Sequence, residues 1–239
     1  MSQDVDDSIN QAVATLQFLH DPGAVFELCI LGPKSPNGPW EGKAFGQKPV
    51  VAGWFKDPEK AARQALAIKN AEGIYTTLNP CQEGMLGRAH ERLKANAART
   101  ADKDIVRLTN LLLDLDPIRP QGVSSSDPEH DAALNLAALI REDLAGRGWP
   151  EPLSGDSGNG AHLVYPLDLE NTPANVDLIK AVLAGLAERY ADRLTAARLA
   201  HLDYLGSFRY IAARHTGPSW VSWWWHSGPS RLWREHPRA

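Results

Sequence analysis

Apolar and polar positions alternate along the chain with two periods, and the switches between them outline its elements. Residues 7–20 carry Val13, Leu16 and Leu19 near one face of a helix. Residues 24–31 read as a strand, followed by a Gly/Pro-rich loop through Gly46 and a second strand, Val50–Phe55. Asp57-Pro58-Glu59 has an N-cap acceptor followed by proline in the first turn, so it opens a helix that the pattern carries to about residue 72. A strand is predicted over 74–78, a helix over 83–98 and a strand over 105–115. Ser126-Asp127-Pro128-Glu129 opens a second capped helix to about residue 147. A strand follows over 162–167. Thr172-Pro173 precedes a long helix to about residue 199, with Val176, Ile179, Val182, Leu183, Leu186 and Leu194 near one stripe that reads as core scaffolding. Strands and helices mixed in this way indicate an α+β fold.

Composition fits a single domain. The chain has 239 residues, 43% hydrophobic and 23% charged, enough to bury a core. Its opening, Met1-Ser2-Gln3-Asp4-Val5-Asp6-Asp7, is acidic rather than a signal region, and no apolar run reaches membrane-spanning length. Two cysteines, Cys29 and Cys81, are too few for a disulfide framework, so both are expected reduced in a cytoplasmic protein. A net charge of −4 argues against coating nucleic acid by bulk electrostatics. A local track remains open, because Arg88, Arg92 and Arg99 fall at helical spacing, near enough to one face to form a stripe. The alternative is a solvated helix face balanced by Glu91, Asp102 and Asp104.

Candidate chemistry gathers in two segments. Leu111-Leu112-Leu113-Asp114-Leu115-Asp116-Pro117 ends an apolar strand in two carboxylates that point the same way, with Leu115 on the opposite face. Carboxylates held together repel and need a cation, and hard divalent ions suit oxygen donors. Asp156-Ser157-Gly158-Asn159-Gly160-Ala161-His162 could offer backbone N–H groups and an imidazole to a phosphate. Each segment alone also has an ordinary structural use, as a strand end or a tight turn. Arg119, three residues past Asp116, has the fork geometry that suits a triphosphate.

The two segments together, with Gly73-Ile74-Tyr75-Thr76-Thr77-Leu78-Asn79-Pro80 upstream and Gly148-Trp149-Pro150 between them, resemble the archaeo-eukaryotic primase superfamily. The likeness is to the primase–polymerase domains of phages, plasmids and other mobile elements, and it covers roughly residues 20–203. The resemblance implies a catalytic core with an RNA-recognition-motif-like mixed sheet flanked by helices. It implies a catalytic domain over 1–203, with N-terminal elements in 1–100 and the metal and nucleotide motifs in 104–203. Two Mg²⁺ or Mn²⁺ ions would be held by Asp114, Asp116 and a third carboxylate, best matched by Asp203 in Ala200-His201-Leu202-Asp203. Ser157, Gly158, Asn159, Gly160 and His162 would bind the incoming nucleotide, and His162 is also the candidate catalytic proton donor to pyrophosphate. The implied partners are single-stranded DNA template, dNTP or NTP, and a replicative helicase in cis or trans.

Beyond residue 203 the pattern departs from the family. An Asn/Arg segment and a Pro-Gly-Thr-like turn are expected, but the chain reads Tyr204-Leu205-Gly206-Ser207-Phe208-Arg209-Tyr210. Five of the eight Trp lie at 220, 223, 224, 225 and 233, and no Lys follows Lys180. One explanation is an aromatic, basic surface for single strands; the favoured one is a frame shift near codon 204 that leaves 204–239 non-native and removes any following helicase. Three functional classes stay open: a primase–polymerase, a catalytically silent nucleic-acid-binding remnant of one, and an Asp-x-Asp glycosyltransferase.

Overall fold

The computed structural model describes residues 3–33, 49–68, 71–118, 120, 123–196 and 209–213. The fold is α+β, with two antiparallel sheets and packed helices. Helix α1 (Gln3–Leu19) leads into strands β1 (Phe26–Leu31) and β2 (Val50–Phe55), helix α2 (Pro58–Ala67) and strand β3 (Gly73–Thr77). A short strand β4 (Lys94–Ala95) precedes the long β5 (Arg107–Leu115), helix α3 (Asp127–Ala145), and strands β6 (Leu153–Asp156) and β7 (Ala161–Glu170). Helices α4 (Pro173–Arg189) and α5 (Ala191–Ala196) and strand β8 (Arg209–Ala213) complete the order. One sheet runs β4-β2-β1-β3-β8 and the other β5-β7-β6. The resemblance implies an RNA-recognition-motif-like mixed sheet, whereas every strand pair among the described residues is antiparallel.

Local rules explain most elements. Asp57 caps α2 by accepting from the amides of Glu59 and Lys60 at 3.0 and 3.1 Å. That helix stops at Ala67 rather than near residue 72, because buried Ile68 turns extended and the Glu72 amide joins the Leu31 carbonyl at 2.8 Å. Glu129 accepts from the Ser126 amide at 2.9 Å and closes the start of α3 as its sequence predicts.

The predicted 83–98 helix does not form. Only a 3-10 turn, Glu83–Arg88, appears, with Gly84 and Gly87 inside it. The chain then pairs along β2: the Trp54 amide donates to Ala89, Glu91 to Trp54 and Asn96 to Val50. Glu91 and Asn96 take positive φ angles of 50° and 55°. Satisfying an open sheet edge outweighs the modest helix propensity of a segment broken by two glycines. The long C-terminal helix is also split, at buried Tyr190, whose hydroxyl donates to Asp143 of α3 at 2.6 Å.

The β5-β7-β6 sheet has two distinct faces. Leu111, Leu113, Leu115, Leu163 and Tyr165 pack with α3 residues Leu136 and Ile140 and α4 residues Ile179 and Leu183 in the larger core. On the opposite face Leu112 and Val164 meet Leu19 and Leu78. There Asn79 Oδ1 accepts from the Thr109 and Asn110 amides at 2.8 and 2.9 Å. Asn110 Nδ2 in turn donates to the Leu19 and Leu78 carbonyls at 2.9 and 2.8 Å. This buried network fixes β5 against the end of α1 and the exit of β3. Cys29 and Cys81 are buried and not joined in a disulfide, and burial pushes the Cys81 thiol up from its ordinary value. Among the described residues no helix is long and apolar enough to cross a membrane.

Candidate active site

Antiparallel pairing of β5 with β7 sets Asp114 directly opposite His162, and Leu115 opposite Ala161. Cross-strand partners share a face. His162 Nε2 accordingly lies 3.3 Å from Asp114 Oδ1. That oxygen is buried and has no hydrogen bond. Leu113 and Leu115, fully buried on the core side, fix which way the acidic face turns. Asp116 stands two residues on, half-buried at the strand end. A buried carboxylate oxygen without a donor is costly unless a cation compensates. Asp114 and Asp116 are oxygen donors of the type that hard divalent ions take. Among the described residues no group of three His, Cys, Asp or Glu side chains is gathered for a metal.

The Gly-rich turn packs onto this strand end. A Cβ added to Gly160 would stand 2.3 Å from the Leu115 carbonyl oxygen and 2.7 Å from Asp116 Oδ1. Only glycine lets β7 approach the carboxylates this closely. The turn differs from the expected phosphate cradle, because its amides are already used. Gly158 N–H donates to Asp156 Oδ1 at 2.7 Å, and the Asn159 and Gly160 amides donate to Ser157 Oγ at 3.4 and 3.0 Å. Ser157 accepts both bonds through its oxygen, which leaves the hydroxyl hydrogen to donate. Asn159 is structural as well: its Oδ1 accepts from the Ser125 amide at 3.1 Å.

Of the basic residues, Arg88 donates to the Ala98 and Arg99 carbonyls at 2.9 and 2.8 Å and lies 5.6 Å from the Trp54 ring centroid. Arg99 pairs with buried Glu27, whose second oxygen accepts from the Thr100 amide at 2.7 Å. Arg92 is exposed, and its carbonyl oxygen would be 2.2 Å from a Cβ on Gly53. The expected helical stripe of Arg88, Arg92 and Arg99 is thus replaced by two arginines engaged in internal bonds and one at the surface. Arg119 and Asp203 lie outside the described residues, as does the tail apart from Arg209–Ala213.

One residue of this neighbourhood carries no metal or nucleotide signal in the sequence. His130, in the second turn of α3, bonds Asp156 Oδ1 through Nε2 at 2.8 Å. The nearest hint is Asp-Ser-Gly, which reads as a side-chain-capped turn; nothing local ties it to His130. In comparisons with known protein families, curated proteins and solved structures, the chain matches none.

Proposed function

We propose that this chain is a primase–polymerase catalytic domain with an archaeo-eukaryotic primase-like core. On this reading it carries out metal-dependent, template-directed nucleotidyl transfer in the replication of a mobile element. The observation that carries the reading is Asp114 opposite His162 in register, with Asp116 against Gly160 in the same corner. Two acidic oxygen donors at a strand end, joined to a Ser/His-bearing turn, match what phosphoryl transfer asks of a protein: positioning and charge compensation.

Asp114 and Asp116 would hold Mg²⁺ or Mn²⁺, with Asp203 the candidate third carboxylate. Bound divalent ions supply activation of the primer 3′-hydroxyl and compensation of charge on the departing pyrophosphate. His162, opposite Asp114 with Nε2 3.3 Å from Oδ1, adds an imidazole to the corner that receives the phosphates. Ser157 turns its hydroxyl hydrogen to a phosphate oxygen of the incoming nucleotide. The 3′-hydroxyl would pass its proton to water, and its oxygen would bond the α-phosphorus as the bond to pyrophosphate breaks. A single-stranded DNA template, dNTP or NTP substrates, a helicase partner and a cytoplasmic location go with this reading.

The test is incorporation of labelled nucleotides opposite defined templates, with Mg²⁺ and Mn²⁺ supplied separately. Incorporation that follows the template and disappears with EDTA is the expected result. DNA binding without turnover would favour the silent remnant, and transfer from a nucleotide-sugar would favour the glycosyltransferase.

A further inference from the structure

Asp156 Oδ1 accepts two hydrogen bonds, from the Gly158 amide at 2.7 Å and from His130 Nε2 at 2.8 Å. The first closes the turn on itself; the second ties that turn to α3. An independent bond repeats the attachment, from the Ser125 amide just ahead of α3 to Asn159 Oδ1 at 3.1 Å. Helix α3 is anchored by Ala133, Leu136, Ala137, Ile140 and Leu144 in the larger core. The same turn carries Ser157 and sets Gly160 against Asp116.

We propose that His130 and Asp156 form a positioning pair that fixes the Gly-rich turn for the triphosphate of an incoming nucleoside triphosphate. The inference rests on the nucleotidyl-transfer reading of the site. The turn's amides are occupied internally, so it cannot adapt to phosphate by offering backbone donors. Its contribution depends instead on the place it gives the Ser157 hydroxyl and the distance it keeps from Asp116. Among the described residues, side-chain hydrogen bonds from His130 and Ser125 tie it to α3 and its start. Preorganisation of this kind governs how well a ligand is held more than the chemistry that follows.

The test measures nucleotide KM and kcat in template-directed incorporation for the unmutated chain, His130→Ala and His130→Gln, with thermal midpoints alongside. Glutamine places an N–H donor near the position of Nε2, so it restores the bond to Asp156. His130→Ala is expected to raise nucleotide KM about 10-fold with kcat within about 3-fold and an unchanged midpoint. His130→Gln is expected to keep KM within about 3-fold of the unmutated value. Faster amide exchange at Gly158–Gly160 in His130→Ala is the accompanying structural readout. An active chain whose KM is indifferent to His130→Ala, or that suffers equally from His130→Gln, overturns the inference and leaves the site reading standing. An unmutated chain that incorporates nothing overturns the site reading, and the positioning role with it.

Discussion

Asp114 keeps a buried carboxylate oxygen 3.3 Å from His162 without a hydrogen bond, and Gly160 leaves no room for a side chain beside Asp116. The close approach yields a direct prediction. Gly160→Ala places a methyl group against a backbone carbonyl that cannot swing away, so β7 must shift from the strand end. Loss of about 1–3 kcal/mol is expected in denaturant unfolding, with incorporation falling by at least about 10-fold. Unchanged stability and activity would show that the turn is looser than it stands. His20 is a second residue with a measurable consequence. It is buried, stacks on Phe26 at 4.8 Å between ring centroids, and burial lowers its pKa from 6.5 to about 3. The unfolded chain takes up this proton below pH 6.5, whereas the folded chain resists it until about pH 3. Stability therefore falls as pH drops through that window, by about 1.6 kcal/mol between pH 6.5 and pH 5 from this group. His20→Leu should flatten that part of the profile; parallel profiles for the two proteins would contradict the assignment. The acidic pair and the glycines were legible in the sequence because each lies in a short, patterned motif. The role of His130 was not, since its partner is set by tertiary packing 26 residues away.

At the scale of elements, periodicity identified β2 at its observed ends and placed α3 and β5 nearly correctly, because capping and long apolar runs are local signals. It failed at 83–98, where pairing with β2 takes over, and at residue 190, where the Tyr190 hydroxyl is drawn to Asp143. Burial and hydrogen bonding across the chain decide such segments, and neither shows in a local window. Strand β5 depends on one such long-range device. Asn110 Nδ2 satisfies the carbonyls of Leu19 and Leu78, four residues before Asp114 on the same strand. Asn110→Ala leaves these buried acceptors without their donor, and a loss of about 2–4 kcal/mol in urea unfolding is expected. A loss under about 0.5 kcal/mol would mean that water replaces the amide and that the network is not what anchors the strand.

For the whole molecule, the α+β class followed from alternating element types, but the division into two antiparallel sheets did not. Neighbours in those sheets come from distant parts of the chain: β4 joins β2, and β8 joins β3. Strand β8 falls inside the Trp- and Arg-rich segment after residue 203, yet it pairs from Thr77↔Arg209 to Ile74↔Ala213. That architecture brings the ends of β5 and β7 together on one side, with α3 and α4 behind them. The central claim is that this corner transfers nucleotides, and Asp114→Asn tests it most directly. The substitution keeps the shape of the side chain and removes its charge. In single-nucleotide incorporation on a primed template, the account predicts a fall of at least about 100-fold with an unchanged thermal midpoint. Template-directed incorporation that persists undiminished in Asp114→Asn would contradict it.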